Sequence, residues 1–177
     1  MRFIETGKDV GELLGLLKSG ECFIHVFDRF NVHPIKNEPL VAMIRHFDKD
    51  EVYVISFSHP DCIPTKVETL ELIANTECKK YVLNRKNLLH YVTLKNCVDI
   101  GWCIYSETLN TIEVEKFRCK DTRSVPIMQM IKSFKDTFKL FYSSVHSMDL
   151  QMSQYETEFS EVLCELEKGG LYVNNFE

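Results

Sequence analysis

Asp28 closes an apolar run, Cys22-Phe23-Ile24-His25-Val26-Phe27, that reads as a largely buried strand. A carboxylate at a strand end is either an ordinary turn residue or a ligand for a cation. The run itself leaves both readings open. His59-Pro60-Asp61-Cys62, taken with His46, has the residue types of a metal cluster. No second pair at zinc spacing follows it, so it reads as a loop closed by a local hydrogen bond. The seven cysteines and six histidines single out no thiolate with a base beside it. Neither glycine-rich phosphate loop occurs. Two groups of cations stand out. Lys132, Lys135 and Lys139 form a stripe at helical spacing, and Lys79, Lys80, Arg85 and Lys86 form a cluster. Either group could solvate a face. Either could also follow a DNA backbone, a contact that needs cations and no sequence code.

These side chains need a frame. Val10 to Leu17 has helical spacing and is followed by Gly20, which can stop a helix. After the first strand comes a loop with Pro34 and Pro39. Leu40–Phe47 and Glu51–Phe57, joined by Asp48-Lys49-Asp50, read as a β-hairpin. Val67–Ala74 reads as a short helix, with Thr65 and Glu68 placed as a capping box. Lys80–Leu83 is a short strand, and Asn84 caps a helix over Lys86–Leu94. Val98–Tyr105 fits strand or helix. Pro126 suits a helix start, and apolar residues from Ile127 to Val145 keep helical spacing. A last helix runs from Met152 to Lys168, with Phe159, Val162, Leu163 and Leu166 as its apolar face, and Gly169-Gly170 ends it. This order predicts an α/β fold, a mixed sheet flanked by helices with two long C-terminal helices.

Three stretches carry a family resemblance. In Asn84-Arg85-Lys86-Asn87-Leu88, Asn84 and Lys86 match a pattern whose next residues are Phe and Asp, and the Asp position falls on Leu88. Thr137-Phe138-Lys139-Leu140-Phe141 matches the segment after a Tyr and Asp that fall on Gln129 and Ser133. Tyr155 to Val173 matches a helix that ends at Gly and turns into an extended connector, with Asn174 at a further Asp position. With Asp28-Arg29-Phe30 in place of an Asp-x-Glu, the chain resembles the 3′–5′ exonuclease domain of family A DNA polymerases and their viral relatives. The resemblance implies a ribonuclease-H-like fold, with an exonuclease-like domain over 1–149 and a connector helix over 150–177, in one structural unit. It implies a chain that stops where a polymerase would begin, with Leu171, Tyr172 and Val173 docking on a polymerase domain in the same or a neighbouring chain.

The same resemblance implies lost catalysis. Nucleases of this class hold two Mg²⁺ or Mn²⁺ ions about 3.5–4 Å apart with four carboxylates, because these hard cations need oxygen ligands. Of the matched positions only Asp28 supplies one. Phe30, Leu88 and Ser133 do not. The expectation is a degenerate domain with no cofactor, structural or DNA-guiding in replication or repair, with Lys79, Lys80, Arg85 and Lys86 in a weak contact with DNA. The alternatives are an active two-metal exonuclease rescued by Asp61, Asp99 or, in a shifted register, Asp136 beside Asp28, and an interaction module on the same fold.

Composition limits these readings. The 177 residues suit one domain, and 45% hydrophobic residues allow a sizeable core. A net charge of −5 opposes strong independent nucleic-acid binding. The odd, scattered cysteines suggest reduced thiols. The Met1–Thr6 start lacks a signal-peptide core, and no apolar run approaches the roughly 18 residues that span a bilayer. The expected location is cytoplasmic or nuclear, with no membrane contact.

Overall fold

The structure is a computed structural model, and it describes residues 1–30, 32, 36–112, 114, 117, 119–143, 145, 146 and 152–170. Strand β1 (Arg2–Phe3) precedes helix α1 (Gly7–Leu16), and β2 (Glu21–Asp28), β3 (Pro39–His46) and β4 (Tyr53–Ser56) follow. Then come α2 (Glu68–Ala74), β5 (Lys79–Val82), α3 (Arg85–Leu88), β6 (Cys97–Asp99) and α4 (Ile100–Thr108). A 3₁₀ turn at Thr122–Ser124 leads to α5 (Ile127–Tyr142) and α6 (Met152–Lys168). The strands form one six-stranded sheet in the order β1-β4-β3-β2-β5-β6. The pairs β2–β3 and β3–β4 are antiparallel, while β1–β4, β2–β5 and β5–β6 are parallel. The expected mixed sheet, hairpin and two long C-terminal helices are all present.

Strand β2 is central because it can be buried on both faces. Phe23 and Phe27 enter one cluster with Met43, Tyr81 and the inner face of α5. Cys22, Ile24 and Val26 enter the other, with Leu13, Leu17, Leu70 and Ile73 of the α1–α2 side. Successive side chains of a strand point to opposite faces, so one strand feeds both layers. Helix α5 places Ile127, Met130, Ile131, Phe134, Phe138 and Phe141 in its buried stripe. Phe23 stacks on Phe134 with centroids 4.9 Å apart and meets Phe141 edge-on at 4.9 Å.

Two local expectations are corrected and one open run is resolved. Thr65 does not cap α2, whose N-cap is Val67 with no side-chain bond. The Thr65 hydroxyl instead donates to the Ile4 carbonyl at 2.8 Å. The capping box lies on α1, between Thr6 and Asp9. The ambiguous run 98–105 divides at Asp99, which ends β6 and caps α4. The apolar side of α6 does not face the domain. Tyr155, Phe159, Val162 and Leu166 are exposed, while Glu156, Ser160, Cys164 and Glu167 are buried.

Gly20 sits at φ +81, a conformation that L side chains resist, and a Cβ there would meet the His46 ring at 2.7 Å. All seven cysteines are free thiols. Among the described residues no helix is long and apolar enough to cross a membrane.

Because Phe134 is fully buried between the sheet and its own helix, Phe134→Ala should cost about 3–5 kcal/mol. Urea denaturation monitored by circular dichroism measures this. A loss near zero would mean that α5 is not docked as described.

Candidate functional site

The parallel strands β2, β5 and β6 end on one side of the sheet, where open α/β sheets place their ligands. A cavity of about 890 Å³ lies there. Asp28, Phe30, Leu88, Tyr91, Asp99 and Trp102 are among its lining residues. The fold therefore brings together Asp28, Phe30 and Leu88, and with them Asn84, Lys86 and Asp99, of the positions singled out in the sequence.

Asp28 arrives at the end of β2, where the register with β3 shifts between Phe27 and Asp28. The Tyr91 hydroxyl donates to Asp28 Oδ1 at 2.7 Å. Burial, followed by the Asp28 charge, holds the Tyr91 phenol well above its ordinary pKa, so this donor stays protonated. The Asp28 carbonyl accepts from the Thr122 hydroxyl at 2.5 Å, which ties the strand end to the 3₁₀ turn. Phe30 lies under the Arg29 guanidinium, 4.6 Å from the ring centre. Its backbone N–H donates to Asn37 Oδ1 at 2.9 Å. Leu88 ends α3 and is buried in the second core cluster. Asn84 takes a left-handed conformation, φ 59, and its side chain caps α3.

Asp99 reaches the cavity already committed. Its Oδ1 accepts from Gly101 N–H at 2.9 Å and its Oδ2 from Arg85 N–H at 2.5 Å, so one carboxylate starts two helices. Burial raises its pKa despite these donors. The other expected rescuers lie elsewhere. Asp61 Oδ2 accepts from Ile127 N–H at the start of α5, at 3.2 Å. Asp136 is exposed and pairs with Lys132 at 3.2 Å and Lys139 at 3.8 Å, which also accounts for much of the basic stripe. Ser133 is buried on the inner side of α5 and is not part of the cavity wall, and Gln129 is exposed on the same helix. His59 Nδ1 accepts from Asp61 N–H at 3.1 Å, the local bond expected, while its Nε2 reaches the distant Val125 carbonyl at 2.9 Å. His46 Nε2 also makes a long-range bond, to the Ser19 carbonyl at 3.1 Å. Among the described residues no three His, Cys, Asp or Glu side chains are grouped as a metal ion would require.

The expected basic cluster does not form a surface. Lys80 is wholly buried, and its ammonium donates to the carbonyls of Thr76, Cys78 and Lys95 at 2.6, 3.1 and 2.9 Å. Arg85 is buried too. It donates to the Thr157 carbonyl at 2.9 Å and to Glu161 at 2.8 Å. Lys86 pairs with Glu167 at 2.9 Å, and His90 Nε2 lies 2.8 Å from the other oxygen of that carboxylate. Lys79 leans over the Tyr81 ring, 5.0 Å from its centre, and lies 3.9 Å from Glu21. The cations near the cavity thus hold α6 against α3. Leu171, Tyr172 and Val173 lie outside the described residues.

Helix α6 also brings Glu156 to the cavity, a residue that belongs to the C-terminal match but was not expected at the site. Its Oε1 accepts from the Ser160 hydroxyl, and burial pushes its pKa up to about 7. Asp99 and Glu161 raise it further, while Ser160 and Arg85 pull it down. Half-buried His25 also lines the cavity, edge-on to Phe27 at 4.6 Å, and desolvation lowers its pKa to about 4. Neither Tyr91 nor Glu156 was marked as a site residue, although Glu156 falls within the C-terminal match. The available signal was the spacing of Glu156, Ser160 and Glu167 on one side of α6.

The fold has parallels among solved structures. The RNase D of Trypanosoma brucei, in its complex with RNA U12, superposes with a TM-score of 0.63 at 10% identity over 90% of this chain and 69% of that one. The fold is the ribonuclease-H-like exonuclease fold. Escherichia coli RNase D, an exoribonuclease involved in structured RNA processing, matches with a TM-score of 0.54 at 10% identity over 92% of this chain. The catalytic core of RRP6 from Trypanosoma brucei matches with 0.50 at 10% identity over 77%. The chain spans 50% of the Escherichia coli enzyme and 43% of the RRP6 core. The sequence itself matches no family model and no curated protein. At these identities the likeness carries the fold alone, and the polymerase resemblance rests on the residues that suggested it.

Glu156 holds its proton more tightly folded than unfolded. Its contribution to stability is therefore largest below about 4.5 and falls as pH rises to about 7. Asp99 acts with the same sign. His25 acts with the opposite one, since its contribution is lost as pH falls from 6.5 toward about 4. The informative quantity is thus a difference. The stability of Glu156→Gln minus that of the unsubstituted protein should increase between pH 4.5 and 7 and level off above it. Urea midpoints at each pH measure this, and a difference flat across that range would refute the assignment.

Proposed function

We propose that this chain is a non-cleaving domain on the exonuclease fold, whose role is to bind or buttress a partner. One observation supports it most. At the end of β2, where this class gathers carboxylates, Asp28 is accompanied by the hydrocarbon of Phe30 and Leu88 and by a phenol that donates to it. Two divalent cations need hard oxygen donors on several sides. Asp99 and Glu156 line the same cavity, but both Asp99 oxygens already accept backbone N–H groups and Glu156 Oε1 accepts from the Ser160 hydroxyl. Among the described residues this donor set does not fit a metal pair, so no hydrolytic step is routed through it.

The partner that the C-terminal resemblance implies is a family A DNA polymerase, in the same or a neighbouring chain, and the domain would support replication or repair. The fold likeness to RNase D gives RNA equal standing as the polymer that such a partner handles. The sequestered cations and the negative net charge leave this domain itself a weak nucleic-acid ligand.

The test is direct. End-labelled single-stranded RNA and DNA, incubated with Mg²⁺ or Mn²⁺, should remain intact on a denaturing gel. Degradation that disappears in Asp28→Ala would overturn the reading in favour of an active exonuclease. In the non-cleaving domain the same substitution should instead lower stability by about 1 kcal/mol, since it strands the half-buried Tyr91 hydroxyl.

A further inference from the structure

Most helices turn their apolar stripe inward, and α6 turns it outward. Tyr155, Phe159, Val162 and Leu166 recur at spacings of four, three and four, the a/d seam of a helix that pairs with another helix. Its inner side is instead fixed by polar bonds, Arg85 to Glu161 and Lys86 and His90 to Glu167. Phe159 is 55% exposed, and Trp102 on the adjoining α4 is 46% exposed and meets Tyr105 edge-on at 6.1 Å. Phe159, Trp102 and Tyr105 all line the mouth of the same cavity. The apolar surface is therefore continuous from α6 across α4, of the kind that marks interaction sites.

Charge selects the occupant. Glu158 and Glu165 flank the seam, Glu165 with Lys168 3.5 Å away at the end of the helix, and Asp28, Asp99 and Glu156 line the cavity behind it. The cavity's lysine, Lys86, is already paired with Glu167. A phosphate backbone would meet this surface with like charge. A second copy of α6, laid antiparallel, would set Glu158 against Glu165, and a parallel copy would bring no cation to either. We propose that the outer stripe of α6, together with Trp102 and Tyr105, docks a basic amphipathic helix of a partner protein. Its apolar residues would fill the seam and its lysines or arginines would face Glu158 and Glu165. The proposal rests on the reading of this chain as a binding domain, though it is tested separately from cleavage.

Trp102 is the single tryptophan, so its emission reports on this surface. The full chain is titrated with a synthetic helical peptide carrying leucines at a/d spacing and lysines beside them. The same peptide with glutamates for the lysines, and a short oligo-uridylate, serve as competitors. The lysine peptide should shift Trp102 emission to the blue, saturably, and bind at least about ten-fold tighter than the glutamate peptide. Phe159→Glu and Val162→Glu should each weaken it by about ten-fold or more, with unchanged circular dichroism because both sites are exposed. The pair Glu158→Lys and Glu165→Lys should reverse the peptide preference, which a merely structural role would not do. Equal binding of both peptides, a response to oligo-uridylate alone, or an emission already blue and unmoved by any probe overturns the proposal. So does a dimer, seen by sedimentation, that persists in the lysine peptide's presence. Nuclease activity in the preceding assay would instead overturn the non-cleaving reading and leave this surface standing.

Discussion

Strand β2 must satisfy two cores at once, and the rest of the domain is arranged around that demand. Phe23 and Phe27 are committed to α5, while Cys22, Ile24 and Val26 are committed to the α1–α2 layer. A slip of one residue would exchange the two sets and expel both. With β3 on one side and β5 on the other, the strand has no freedom of register. Asp28 is therefore delivered to the mouth of the cavity by packing that occurs several residues earlier, whatever chemistry the position supports.

Around that fixed point the polar groups have been spent on architecture. Asp99 uses both oxygens to begin α3 and α4. Lys86, which lines the cleft, and Arg85 and His90 near it in sequence are engaged by the carbonyl and carboxylates of α6. Buried charges of this kind are costly unless paired and hydrogen-bonded, and here they are. The polar inner side of α6 follows from this clasp. Its apolar residues face outward because the inward positions are already taken by Glu156, Ser160 and Glu167.

What was legible in the sequence was local. The turn Asp48-Lys49-Asp50 marked the β3–β4 hairpin, and the apolar spacing from Ile127 marked α5. Asn84 was read correctly as a cap. Strand β1 was missed because two residues carry no period, and its pairing with β4 is decided by contacts about fifty residues away. Thr65 had the spacing of a cap, yet a carbonyl from the first strand's end competed for its hydroxyl. The basic cluster failed for the same reason. Nothing near Arg85 or Lys86 indicates that Glu161 and Glu167 will reach them from sequence separations of 76 and 81. A helical pattern shows which residues share a face. It does not show which face is inward when the docking surface is itself polar.

Lys80 bears on how freely this domain can vary. Its ammonium has three donors, and three carbonyls from two separate connections receive them: Thr76 and Cys78 before β5, and Lys95 before β6. A guanidinium is a flat fork that does not fit three acceptors converging on a point, and an aliphatic chain would strand all three. Phe30 and Leu88 can drift among apolar residues at little cost to the fold. A position intolerant of substitution thus stands at the amino end of the parallel strands, opposite the cavity. Selection would persist there whether or not the cavity performs chemistry.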